Sequence, residues 1–184
     1  MNKKGNVSIV LLLISIGIVI IFSIIFAPFT QVDVGNVAIE TRFGKITGNQ
    51  LGEGFHIVNP LSDFKQLNVK IQKASELYSA ASKDLQEIKV GLSVNYKLLP
   101  NRAIEIYQTV GEDYFEQIAK PAIMEVIKTE ISNYNSGDIL FKRTIIKNNI
   151  QKSIVDWISK YGIFVQEVSL SNIAFSAEYQ KAIE

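Results

Sequence analysis

Cysteine is absent from the 184-residue chain, and histidine occurs once, at His56. The first absence excludes disulfides, thiolate metal sites and a cysteine nucleophile. The second excludes a metal site built on several histidines and makes any Ser-His-Asp triad depend on this single residue. No Gly-Lys-Ser/Thr phosphate cradle occurs, and Gly52-Glu53-Gly54 lacks both the third glycine and the strand-to-helix setting of a dinucleotide loop. Basic blocks are missing too. Beyond residue 30 the chain carries 17 of its 19 Lys and Arg and all 18 Asp and Glu, a formal charge of −1, which argues against nucleic acid as a partner.

Charge is also lacking over residues 7–27, VSIVLLLISIGIVIIFSIIFA, where Ser8, Ser15 and Ser23 are the only polar side chains. As a helix this run, from Val7 through Leu12, Gly17 and Phe22 to Ala27, reaches roughly 31 Å, enough to cross a bilayer once. A cleavable signal peptide fits less well, because its apolar region spans only about 7–15 residues and Ile25-Phe26-Ala27-Pro28 is a poor cleavage site. A buried core helix would show a polar side. Lys3 and Lys4 precede the run, and Pro28 to Thr41 contains Asp33 and Glu40 but no basic residue. The positive-inside bias therefore predicts an amino end in the cytoplasm, or in the matrix of a mitochondrion, and an exported remainder.

The expected organisation is a tail (1–6), a transmembrane helix (7–27), a connector (28–33), one α+β domain of antiparallel strands packed with helices (34–175), and the start of a further helix (176–184). Val37, Ile39, Thr41 and Phe43 alternate with Asn36, Ala38, Glu40 and Arg42, predicting a strand with one apolar face, turned by Gly44-Lys45. Two or three short strands follow, through Leu51–Pro60 and a run near Phe64, Leu67, Val69 and Ile71. The clearest alternation places Ile88, Val90, Leu92, Val94, Tyr96 and Leu98 on one face of a strand half-buried under helices.

Asn101 is expected to cap a short helix carrying Ile104 and Tyr107 and ended by Gly111. Asp113 and Glu116 have capping-box spacing ahead of a helix that buries Phe115, Ile118, Ala122, Ile123, Val126, Ile127, Ile131 and Tyr134, kinked or restarted at Pro121. Asn133 to Gly137 breaks the chain. A second helix has the stripe Ile145, Ile146, Ile150, Ile154, Trp157, Ile158 and Tyr161, stopped by Gly162, and a last strand runs through Val165, Val168 and Leu170 to Ile173. Ser176 is placed to cap the terminal helix.

No catalytic constellation emerges. His56 lies beside a turn, the carboxylates suit capping and solvation, and the aromatics Tyr107, Tyr134, Trp157 and Tyr161 fall on apolar stripes. No cofactor or metal is expected.

Read together, Ser82-Lys83-Asp84-Leu85-Gln86, Val110-Gly111-Glu112-Asp113-Tyr114, Gly137-Asp138-Ile139-Leu140 with Arg143, and Glu167-Val168-Ser169-Leu170 with Phe175 resemble the prohibitin branch of the stomatin, prohibitin and flotillin (SPFH, band 7) family. So does the run Gly52, Gly54, His56 and Pro60. The resemblance implies an SPFH domain behind an amino-terminal anchor, in a non-enzymatic membrane scaffold. It further implies lateral assembly with copies of itself or a paralogue, contact with the lipid bilayer, and regulation of membrane-bound AAA+ proteases in protein quality control. The host membrane expected is a bacterial inner or plasma membrane rather than a mitochondrial inner membrane. The alternatives are a membrane-tethered hydrolase or transferase around His56 and the Asp84 loop, and an exported ligand-binding module. Two departures stand out. Phe141 occupies a position where the family commonly has a helix-capping Thr. The sequence stops at Glu184, where relatives enter a coiled coil, so it reads either as a fragment or as a short member whose domain alone assembles weakly.

Overall fold

The computed structural model describes residues 11–20 and 29–175. Residues 11–20 form helix α1, whose apolar side chains are exposed, Leu12 at 59%. Among the described residues no helix is long and apolar enough to cross a membrane. The remainder of the expected span, with Val7, Phe22 and Ala27, lies outside the described residues, as does the expected terminal helix after Ser176.

The strands are β1 (Phe29–Val32), β2 (Asn36–Arg42), β3 (Lys45–Leu51), β4 (Gly54–Ile57), β5 (Ser62–Asn68), β6 (Gln72–Ala81), β7 (Glu87–Leu98) and β8 (Ile163–Phe175). They make an antiparallel ribbon β1-β4 and two antiparallel sheets, β3-β2-β5 and β6-β7-β8. The helices are α2 (Ala103–Thr109), α3 (Lys120–Ser132), α4 (Ser136–Phe141) and α5 (Arg143–Ile158). This is an α+β arrangement. Helix α3 packs on β6, α5 packs on β8, and the two helices touch, so central β7 lies beneath their seam.

The buried face of β7 is the one its alternation predicts, from Ile88 to Leu98. Above it, Ile123, Ile127 and Ile131 of α3 meet Ile146, Ile150, Ile154 and Ile158 of α5, each at most 1% exposed. Burial of each such side chain is worth roughly 1.5–3 kcal/mol, which makes this seam the main source of cohesion. Val37, Ile39 and Leu67 of the first sheet join the same core.

Several expectations are corrected. Phe43 is not on the apolar face of β2. It is 83% exposed and occupies, with Gly44, a two-residue hairpin loop in which both residues have positive φ (50° and 78°), because Arg42 pairs directly with Lys45. Central β2 is also buried on both faces, Glu40 included. The connector contains β1, which forms only because β4 supplies its hydrogen bonds from a distance. Strand β6 has too weak an apolar pattern to be read alone and exists by pairing with β7 along its length.

Asn101 sits inside a 3-10 turn (Pro100–Arg102) and caps nothing. The Asp113-Glu116 capping box does not form either. Instead a π-helical turn, Phe115–Ala119, precedes α3, with the Lys120 N–H reaching back to the Phe115 carbonyl. Pro121 has no N–H to continue a regular ladder, so the wider turn carries the chain past it and α3 restarts with proline in its first turn. The expected break at 133–137 is shorter than its bounds, because the short helix α4 already starts at Ser136. That helix runs through a single residue, Lys142, into α5, which starts without a side-chain cap. Ile145, Trp157 and Tyr161 lie off the buried stripe, at 55%, 45% and 41% exposure. Strand β8 carries an extra residue at two places opposite β7, which is why its apolar residues do not alternate strictly.

Candidate functional site

His56 lies on β4 opposite Thr30, and its Nε2–H donates to the Gly52 carbonyl at 2.8 Å. Gly54 takes φ 119°, a value that needs glycine, and Glu53 between the two glycines accepts from the Gly35 N–H at 2.9 Å. Pro60 follows in the exposed turn into β5. The Gly52–Pro60 motif therefore shapes a ribbon and ties its base, with the histidine serving the turn.

Asp84 lies elsewhere, in the loop between β6 and β7. Its carboxylate accepts from the Ser136 N–H (2.9 Å), the Ser136 hydroxyl (2.6 Å) and the Ser82 hydroxyl (2.6 Å). The loop is also pinned by the Lys83 N–H to the Tyr134 carbonyl at 2.8 Å. Asp84 thus caps the start of α4 from 52 residues away and locks the sheet to the helical layer. The next residue, Leu85, is held at φ 61° and is 85% exposed. It overhangs an open groove of about 560 Å³ between the end of β6 and the Glu125–Ser132 side of α3.

The remaining motif positions divide in the same way. Gly111 adopts φ 94° at the end of α2, Gly137 lies in the first turn of α4, Arg143 opens α5, and Val168 is buried against Val94. Asp113 is exposed, whereas Tyr114 is buried and packs edge-on against Tyr96. The motifs do not converge on one reactive centre. His56 and Asp84 belong to separate elements, each engaged with its own neighbours. Among the described residues no group of three or more acidic or histidine side chains could hold a metal ion.

One polar cluster was not legible in the sequence. Glu40, only 6% exposed, accepts from Ser62, Asn49, Thr47 and Arg42. A bulge in β3 opposite Ile39 and Thr41, with Gly48 at φ 90°, turns Thr47 and Asn49 toward it. Alternation alone puts Glu40 on the solvent face, because three of its four donors, Thr47, Asn49 and Ser62, come from two other strands.

Both carboxylates are held well below their ordinary values: Glu40 from 4.5 to about 2, chiefly by Ser62, and Asp84 from 3.8 to about 2, chiefly by Ser136. A carboxylate lowered by folding adds stability that is complete above its unfolded value and is lost as pH falls toward its folded value. Urea midpoints should therefore be level near neutrality and decline between about pH 5 and pH 2. Glu40→Gln and Asp84→Asn should each lower the neutral-pH midpoint and flatten that decline. A decline of unchanged steepness in the double variant would refute the assignment.

On the ribbon, Phe29, Phe55 and Ile57 share one face. Phe29 and Phe55 stack with ring centroids 5.1 Å apart, yet the three are 47%, 67% and 78% exposed. Sequence reading did not single them out, although the Phe55/Ile57 alternation carried the signal.

Residues 30–184 match the family model described as SPFH domain / Band 7 family. Prohibitin-7, mitochondrial, of Arabidopsis thaliana is 31% identical over 84% of this chain and 56% of its own length. Prohibitin 1 of Drosophila melanogaster is 24% identical over 92% of this chain and 62% of its own, and prohibitin-2, mitochondrial, of A. thaliana 28% over 84% and 54%. The chain thus spans somewhat over half the length of these relatives. It belongs to the SPFH domain / Band 7 family, as a prohibitin-like member.

Proposed function

We propose that this protein is a non-enzymatic membrane scaffold of the prohibitin type. It crosses the bilayer once through residues 7–27, associates laterally with itself or a paralogue, and regulates membrane-bound AAA+ proteases in protein quality control. The amino end lies in the cytoplasm and the domain is exported across a bacterial inner or plasma membrane. In a mitochondrion the amino end would face the matrix.

The observation that carries this reading is the exposed apolar face of the β1–β4 ribbon, which begins two residues after the uncharged run ends. Exposed aromatic and aliphatic side chains at that place suit the interface between lipid and water better than open solvent. Family membership supports the scaffold, and the satisfied Asp84 and His56 offer no pair of groups poised for acid–base chemistry.

Single cysteines replacing Lys45 and Asn135, both exposed, test the arrangement. Each should react with a membrane-impermeant thiol reagent in intact cells, or in mitoplasts if the host membrane is mitochondrial. Labelling only after permeabilisation would reverse the orientation, and extraction of the protein by alkaline carbonate would overturn the anchor. Cross-linking in native membranes should give multiples of the chain mass that fade in detergent, since the anchor raises local concentration and so reveals weak lateral contacts. A monomer band alone under both conditions would overturn lateral association.

A further inference from the structure

Strand β6 is an edge of its sheet, hydrogen-bonded to β7 alone. It lacks the devices that keep such an edge from pairing with another chain. Its ten residues include no proline, and its register against β7 is unbroken, whereas the edge strands β3 and β8 both carry bulges. The Ser82 N–H donates to the Gln86 carbonyl at 2.9 Å, and the alternation of an antiparallel ladder then fixes which backbone groups of β6 face β7. Those of Lys73, Ser75, Leu77, Ser79 and Ala81 point outward, and no hydrogen bond engages them among the described residues. The same five residues are exposed, on the sheet face away from the helices. Leu77, at their centre, is 65% exposed and lies opposite Gly91. The groove of about 560 Å³ at the end of β6 is lined by Ser79, Ala80 and Ala81, residues of both faces, so it is the edge of the strand that opens onto it.

We propose that β6 pairs antiparallel with β6 of a second copy of this chain, about a two-fold axis through Leu77, joining two three-stranded sheets into one of six. The inference rests on the lateral association proposed above and assigns it a surface. The outward N–H and C=O groups of each copy then satisfy those of the other. The axis sets Leu77 against its counterpart, where Gly91 behind each leucine leaves room, and Ser75 against the second copy's Ser79. It also sets the second copy's Lys73 against Ala81, whose small side chain lets the lysine reach across to Glu87, the residue paired with Ala81 on β7. Lys73 and Glu87 have no ion-pair partner among the described residues, so each is open to the other copy. Side chains select this register. An axis moved to Glu76 would set two glutamates face to face, and one moved to Tyr78 would set Leu77 against Ser79. A pairing about 34 Å long and about 10 Å thick buries about 700 Å² over both copies, below the roughly 1,200 Å² at which standard interfaces begin. Such a pair is weak in dilute detergent and is favoured where an anchor confines the copies to one membrane.

The chain has no cysteine, so single cysteine substitutions in the full chain report the contact directly. Native membranes are treated with a thiol-directed cross-linker short enough to match the roughly 5 Å between directly opposed side chains. Leu77→Cys should then give a dimer band, forming roughly tenfold faster or more than with Glu167→Cys, an exposed position on β8. Ser75→Cys alone should link little, because its two copies lie about 14 Å apart, whereas Ser75→Cys co-expressed with Ser79→Cys should link the two chains. Linking of Glu167→Cys or of Ser75→Cys alone as fast as Leu77→Cys would overturn the proposal. Leu77→Cys that stays unlinked, while a lysine-directed cross-linker still gives multiples of the chain mass, would overturn the β6 surface and leave lateral association standing. A monomer with both reagents would overturn both.

Discussion

Val94→Asp should abolish the cooperative unfolding transition of the domain, while Asn95→Asp should leave it nearly untouched. Val94 is 2% exposed, paired with Ala74 on one side and Val168 on the other, under the isoleucine seam of α3 and α5. A carboxylate there has apolar neighbours and no donor, and an unpaired buried charge costs several kcal/mol, about as much as a domain of this size has to lose. Asn95 points to the other face, half-buried between Lys73 and Glu167. A charge at that position stays hydrated, and its repulsion from Glu167 is offset by attraction to Lys73, leaving an effect within about 0.5 kcal/mol. Urea titrations followed by circular dichroism on the two purified variants decide the matter. Equal tolerance, or equal damage, would refute the register of β7 against β8.

Gly162→Val should destabilise the domain by roughly 2–4 kcal/mol. Gly162 ends the 3-10 turn after α5 in a left-handed conformation, φ 76°, which a β-branched residue adopts only under strain. Space is lacking as well. A Cβ at this position would lie 2.5 Å from the Arg102 Cβ, an atom close to the backbone that cannot swing aside. The Gly162 carbonyl also accepts from the Leu99 N–H at 2.9 Å, fastening the exit of β7 to the entry of β8. Gly162→Ala should show a smaller loss of the same kind, and the urea midpoint of both variants is the measurement. A valine variant as stable as the parent would mean that the turn can be rebuilt without its left-handed residue.

The two effects differ in origin, and the difference shows what local sequence encodes. The buried face of β7 was legible because six apolar residues alternate without interruption from Ile88 to Leu98, and a strand has only two faces. Gly162 was legible as a stop because glycine follows a helical stripe, although its closeness to Arg102 was not. For α5, period 3.6 recovered Ile146, Ile150, Ile154 and Ile158, but it also admitted Trp157 and Tyr161, which lie at the edge of the stripe where only the position of β8 decides burial.

The capping box failed for a related reason. Spacing allows Asp113 and Glu116 to cap a regular helix start, but Pro121 and the stacking of Phe115 on Tyr96 favour a wider π-helical turn there. The segment Gln72–Ala81 was missed because an edge strand rich in serine and alanine has little apolar signal of its own. Its ladder to β7 makes it a strand.

By itself, then, the sequence determined the α+β class, the central strand and its face, the two long amphipathic helices, the uncharged amino-terminal run and the family. Each of these rests on a local period, on a composition, or on motifs kept in order along the chain. Only the tertiary structure decided that Asp84 caps α4 across 52 residues and that Glu40 is a buried carboxylate with four donor side chains. In both cases partners from other elements complete the cluster, Ser136 for Asp84 and Thr47, Asn49 and Ser62 for Glu40, so their meeting depends on how strands pair and helices dock. Hydrogen bonds and ion pairs act over a few ångströms of space, and no spacing along the chain records that distance.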